Sequence, residues 1–225
     1  KDYASKKIID FAMLHNIPIM TTWNATDLVP SDNIMFVGRP GAFAERAANF
    51  NIQNCDLYIS IGSRLPFMVT GYNKKDFARN AYKIMVDIDK AEINKNNDII
   101  DLGINCDAIS FIEILNKIIP LEFKSSDKWL NQCKDLRKKY PILQSTLVNQ
   151  DRWVYSYYFI DKLSNHLDSN SNVFTDMGLS FVGTHQAFKV KKGQKVVTNS
   201  GHAPMGWGLP AAIGSYFSNK SKNIK

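Results

Sequence analysis

Cysteine is scarce: 225 residues contain only Cys55, Cys106 and Cys133, and no two of them form a C-x-x-C pair. An odd number at wide spacing excludes a disulfide framework and a zinc ribbon, and leaves three packing thiols as the expectation. Long apolar runs are missing too. None approaches the roughly 20 residues that cross a bilayer. The opening KDYASKKIIDFAMLHNIP is too charged for the apolar core of a secretion signal, and no small-residue cleavage site follows it. A cytoplasmic protein with no membrane partner is expected. A basic stripe is also lacking. The 28 Lys and Arg against 21 Asp and Glu leave a net charge of +7. Yet the lysines are scattered (Lys74-Lys75, Lys138-Lys139, Lys191-Lys192), with no aromatic interleaving, and many others sit beside asparagine, as in NKNND and SNKSKN. That pattern describes solvated faces rather than a nucleic-acid surface.

What is present is an alternation of helix-like and strand-like segments, the pattern of an α/β protein with a parallel sheet. Residues 3–15 space Ile8, Ile9, Phe11, Ala12 and Leu14 as a helix does. Ile17-Pro18-Ile19-Met20 reads as a short strand, and Ala42 to Phe50 as a helix. Asp56 to Gly62 and Tyr82 to Asp89 are continuous apolar strands of the kind buried on both faces. Ile109 to Ile119 reads as a closing helix, stopped by Pro120. Three divisions follow: residues 1–120 as one domain, 121–150 as a surface connector with a charged helix at Asp127 to Tyr140, and 151–225 as the start of another. The last begins with helix Val154–Leu167 and strands Asn172–Thr175 and Lys195–Asn199. Helix Gly206–Phe217 follows, with a further strand expected to open at Asn223-Ile224-Lys225. A helix with no strand before it, and a second domain with only two strands, give the expectation of a piece cut from a longer protein.

Three stretches carry candidate chemistry. Gly38-Arg39-Pro40-Gly41 precedes a helix, where backbone amides can meet a phosphate, although the same string also makes an ordinary turn. Gly62-Ser63-Arg64 follows one strand, and Asp87-Ile88-Asp89 ends the next. Ligands of open parallel sheets lie beyond such strand ends. There Arg64 could fork onto a phosphate and Asp87 take a ribose, or Arg64 could simply pair with Asp87 or Asp89. Thr175-Asp176-Met177-Gly178-Leu179-Ser180 and Asn199 through Gly214 follow successive strands, and their small residues let a ligand approach the backbone. Met205, raised on such a loop, could buttress a ring. It could equally be incidental to a tightly packed helix start.

The run MGWGLPAAIG resembles the cofactor-domain signature of thiamine-diphosphate enzymes of the acetolactate synthase type. TDMGLS followed by His185-Gln186 resembles the loop before that signature. IPIMTT, GRPGAFAERAAN, CDLYISIGSRL and VDID resemble the family's central domain in the same order. The resemblance implies a Rossmann-like central domain followed by the start of a diphosphate-binding domain. The implied cofactors are thiamine diphosphate and Mg2+, with FAD as an optional third. The implied substrate is a small-molecule 2-oxo acid such as pyruvate, which is decarboxylated and either joined to a second carbonyl or released as an aldehyde. A homo-oligomeric dimer or tetramer is implied for the intact enzyme. Residue by residue, Met205 would hold the cofactor bent, and Ala203 would offer its carbonyl to the aminopyrimidine. Gly178, Leu179 and Ser180 would lie near the diphosphate, with His185 and Gln186 nearby. His202 replaces a small residue and would alter access. FAD-binding members hold the flavin around the matches to Gly38, Gly62, Arg64 and Asp87. Leu65-Pro66-Phe67-Met68 departs from the charged residues of flavin-binding synthases. The glutamate that activates the cofactor and the GDG…NN magnesium segment have no match here, so no catalytic or metal residue is assigned and the piece alone is expected to be inactive. A nucleotide-binding module without catalysis is the alternative.

Overall fold

The computed structural model describes residues 2–148 and 152–219, and the strand expected at Asn223-Ile224-Lys225 lies outside them. The chain divides into two compact units. One comprises residues 1–22 and 34–141; the other takes residues 142–225 together with an excursion, residues 23–33.

In the first unit, α1 (Asp2–His15), α2 (Arg46–Asn54), β1 (Leu57–Ile61), α3 (Phe67–Thr70), β2 (Tyr82–Asp87), α4 (Lys90–Lys95), β3 (Leu102–Asn105), α5 (Ala108–Ile118) and α6 (Asp127–Lys139) follow in order, with a one-turn 3-10 helix at Lys74–Asp76. β1, β2 and β3 form a parallel sheet in that order, registered Ile59 to Ile84 and Val86 to Ile104. β1 and β2 are mostly apolar because both their faces are covered. Tyr58 and Met85 face Ile52, Val69, Phe77 and Ile93. Ile59, Ile61, Ile84 and Val86 face Phe11 of α1 and Phe111 and Ile112 of α5. The segment expected as a strand at Ile17 to Met20 makes a single parallel bridge, Ile19 to Phe36.

The stretch read as a connector contains α6, and that helix joins the core of the first unit. Leu130 and Cys133 are buried with Ala12, Met35 and Val37, while Trp129 packs alongside. Arg137 of α6 completes a buried charge cluster. It donates from Nη1 to the Phe36 carbonyl at 3.0 Å and lies 3.4 Å through Nε from Glu45. Arg39 approaches the same carboxylate at 4.0 Å, and its backbone amide donates to it at 3.1 Å. Both guanidinium groups lie over the Phe36 ring, at 5.2 and 4.9 Å from its centroid.

Burial pushes two thiols of this unit up from their ordinary value of 9.0, Cys55 to about 11 and Cys133 to about 12. A thiol whose folded pKa is raised holds its proton more tightly in the native state. Its stabilising contribution is therefore complete below about pH 9 and is lost as pH climbs through 11 and 12. We expect the first unit to melt at a lower temperature at pH 10.5 than at pH 8, with a smaller drop in Cys55→Ala. A melting temperature flat across that interval would contradict the assignment.

The second unit holds α7 (Ser145–Val148), α8 (Ser156–His166), β4 (Asn172–Phe174), α9 (Leu179–Ala187), β5 (Lys195–Val197) and α10 (Gly208–Asn219), with a 3-10 turn at Trp23–Ala25. β4 and β5 pair in parallel, Val173 opposite Val196. Their core gathers Ile160 of α8, Ala187, Phe188, Val190 and Val196. Residues 23–33 are woven into this unit. Trp23 meets Phe181 edge-on at 4.5 Å, and Thr26 Oγ1 lies 3.2 Å from His185 Nδ1. Ser31 Oγ accepts from the Val190 amide, and Asp27 accepts from the Val196 amide.

Candidate functional site

Parallel pairing makes the loops after β4 and β5 leave from the same end of the sheet. The first, residues 175–178, turns at Gly178 (φ 68°) into α9. The second runs from Thr198 to Trp207 and turns twice through left-handed backbone, at Ala203 (φ 51°) and Gly206 (φ 86°). Between those turns Met205 stands 91% exposed. An apolar side chain so bare is not part of any core.

The two loops are joined by one carboxylate. Asp176 accepts from the Gly206 amide on both oxygens, at 3.0 and 2.9 Å, and from the Met177 amide at 2.8 Å. At the other end of the second loop, Ser200 Oγ donates to Asn24 Oδ1 at 2.9 Å, and the Ala203 amide donates to the Asn199 carbonyl at 2.8 Å. At Gly208, α10 abuts the backbone that leaves β4; a Cβ there would lie 2.9 Å from the Asp176 nitrogen.

Of the residues expected around the cofactor, Gly178, Leu179, Ser180, Ala203 and Met205 gather on these two loops, and all five are exposed. Leu179 and Ser180, read as loop, form the first turn of α9, whose leading amides lie outside the helical ladder. His202 is exposed beside them. His185 is not brought to the loops. It lies two turns along α9 and is buried against Trp23, Phe181 and Thr26. Gln186 next to it is half-buried. Asp176 was part of a singled-out run but was assigned no role, because its partner Gly206 stands 30 residues further on.

The strand-end residues of the first unit are arranged differently. Arg64 pairs with Glu92, at 2.6 Å through Nη2, and with neither Asp87 nor Asp89. Glu92 is shared with Lys95, and these two hydrogen bonds, that to Lys95 first, hold its carboxyl below the ordinary carboxylate range. Asp89 caps α4 through the Ala91 amide. Gly38 (φ 114°) gives Glu45 and Ala48 room: a Cβ would meet them at 2.9 and 3.1 Å. Gly62 donates its amide to the Val86 carbonyl and has nothing near its missing side chain. Asp87 is buried; one oxygen takes the Asp89 amide, and Oδ2 meets no donor among the described residues.

The loops around Met205 fit the head of a thiamine-type cofactor. They offer a bare apolar side chain, and there is open space at Gly178, Gly201 and Gly206, where an added Cβ would meet nothing within 4 Å. A helix start lies alongside, and such starts favour anions. No group of three or more His, Cys, Asp or Glu among the described residues could hold a metal. A parallel sheet covered on both faces in one unit, and paired strand-end loops opening to solvent in the other, define an α/β protein of the ligand-binding kind.

Comparison with known families makes this specific. Residues 1–115 match the family described as thiamine pyrophosphate enzyme, central domain, and residues 176–224 match its C-terminal TPP binding domain. The chain belongs to the thiamine pyrophosphate enzyme family. It is 31% identical to a probable acetolactate synthase large subunit of Methanocaldococcus jannaschii over 98% of its length, covering 38% of that protein. It is 32% identical to the acetolactate synthase large subunit of Cyanidium caldarium, covering 98% of this chain and 37% of the other. Identity to the isozyme 1 large subunit of Escherichia coli K12 is 28%, over 98% of this chain and 38% of that one. The chain thus spans less than two fifths of the length of these relatives. Neither family match supports the alternative of a nucleotide-binding module without catalysis.

Proposed function

We propose that this chain contributes part of the thiamine diphosphate site of an acetolactate synthase-type enzyme acting on a 2-oxo acid such as pyruvate. The observation that carries the proposal is Met205, fully presented on a loop anchored at both ends. When bound, thiamine diphosphate supplies an electron sink through which a 2-oxo acid loses carbon dioxide and its remaining carbon joins a second carbonyl or leaves as an aldehyde. The chain's own part is orientation. Met205 would give the cofactor's rings an apolar rest, the Ala203 carbonyl would accept from the aminopyrimidine, and the amides opening α9 at Gly178, Leu179 and Ser180 would hold the diphosphate.

In this proposal residues 1–120 are central-domain sequence, 121–150 a linker whose helix α6 packs into the first unit, and 151–225 the opening of the cofactor domain. The intact enzyme works as a homo-oligomer in the cytoplasm. Magnesium would need ligands beyond those described, so no step is assigned to it. Flavin remains an optional addition: Asp87 Oδ2 is a buried acceptor suited to a ribose hydroxyl, while Arg64 is engaged by Glu92.

Met205→Ala in the full-length protein tests the reading. Fold stability should change by no more than about 0.5 kcal/mol, as at surface positions generally. Thiamine diphosphate uptake and carbon dioxide release from pyruvate should fall at least about tenfold, the equivalent of roughly 1.4 kcal/mol of lost cofactor contact. Unchanged cofactor uptake in the variant would remove the proposal's support.

A further inference from the structure

The loop that displays Met205 has no packing of its own. Residues 201–206 are all exposed, so no core contact sets how far the methionine stands from the sheet. Its backbone is also unfavourable. Ala203 adopts a left-handed conformation, which costs a residue bearing a side chain about 1–2 kcal/mol, while Gly206, on the other side of Met205, takes the same region freely. Something must hold the turn in place. On its far side that is the Asn24–Ser200 side-chain hydrogen bond together with the bond from the Ala203 amide to the Asn199 carbonyl. On the near side it is Asp176, whose two oxygens both take the Gly206 amide while one also takes Met177.

A carboxylate is an odd choice beside a helix start that would receive a diphosphate, because like charges repel. Its value here lies in acceptor capacity. An ionised carboxylate makes stronger hydrogen bonds to amides than a neutral group does, and it has sites for several at once. Asparagine would keep a single acceptor oxygen and turn an NH2 toward amides that also donate. Gly208 adds the second constraint: the absence of a Cβ lets α10 abut the Asp176 backbone, fixing the carboxylate's base as well as its tip.

Building on the reading above, we propose that Asp176 is a positioning residue: through the Gly206 amide it sets the height of the Met205 turn, and so how firmly the rings of thiamine diphosphate are seated. Asp176 need not touch the cofactor. The turn carries the effect.

The test uses the full-length protein with Asp176→Ala and Asp176→Asn. In each, exchange of the Gly206 amide is followed without cofactor, and thiamine diphosphate with Mg2+ is titrated while the near-UV circular dichroism of the bound rings is recorded. In the alanine variant the Gly206 amide should exchange at least about tenfold faster, and half-saturation should need about tenfold more cofactor, the scale expected when a charged acceptor is lost. Its dichroic band should change shape as well as midpoint. Asparagine should fall between alanine and wild type, and it carries the same comparison if the alanine variant does not fold. Unchanged Gly206 exchange would overturn the clasp. Faster exchange with unaltered titration and dichroism would overturn its role in seating the cofactor. A wild type that takes up no thiamine diphosphate would overturn the site reading itself, and this proposal with it.

Discussion

Glu45→Ala is expected to destabilise the first unit by about 3–5 kcal/mol, the scale of breaking a buried ion pair from one side. Glu45 lies against two guanidinium groups, those of Arg39 and Arg137, and Arg39 is almost wholly buried. Burial pushes the Arg39 guanidinium down to about 10, with Arg137 adding to the push and Glu45 opposing it. At neutral pH Arg39 therefore stays charged. Without Glu45 the repulsion between Arg39 and Arg137 would lose the carboxylate that opposes it. The alanine would also leave the Arg39 backbone amide without its acceptor. Glu45→Gln keeps an acceptor and loses the charge, so it should cost less. Native-state hydrogen exchange in α2 and α6, which this cluster joins, would report the loss. A change below about 1 kcal/mol in the alanine variant would mean that the cluster relaxes at little cost, against the usual behaviour of such pairs.

Gly208→Ala should disturb the second unit less, and by another route. The new methyl would sit 2.9 Å from the Asp176 nitrogen and 3.2 Å from the Thr175 carbonyl carbon, both main-chain atoms of the segment leaving β4. Backbone cannot rotate aside as a long side chain can, so α10 must move away from β4. Overpacking of this kind costs about 1–3 kcal/mol. The same shift would pull on the Asp176 carboxylate and loosen the Met205 turn, so cofactor uptake in the full-length protein should fall by more than the stability loss explains. A variant with native uptake and native melting temperature would mean that α10 accommodates the methyl without moving.

The parts of this fold that local pattern reveals are those that bury large apolar surface by themselves. β1 and β2 were legible because Leu57 to Ile61 and Tyr82 to Asp87 are apolar on both faces. α1 and α5 were legible from their spacing. β3 was missed because Leu102-Gly103-Ile104-Asn105 has only two apolar residues and earns its place by pairing with β2. α4 escaped notice because it buries only Glu92 and Ile93. α9 shows no apolar stripe, since Phe181, Gly183, Thr184 and His185 are buried on several sides of it. The site divides the same way. Met205 and its small neighbours stood out as a string, whereas Arg64 with Glu92 and Asp176 with Gly206 are pairings across 28 and 30 positions that no local pattern announces. The resemblance to a family supplied the cofactor; residue chemistry alone left the loop open to a bland reading.

The excursion at residues 23–33 bears on how this protein could be divided. Its Trp23 and Thr26 cover Phe181 and His185, and its Asn24 moors the loop that bears Met205. A gene cut once between the two units would leave that patch of the later half naked and one mooring of the loop missing. Any excised version of the later half would need those eleven residues returned to it, as a grafted leader or as a peptide supplied separately.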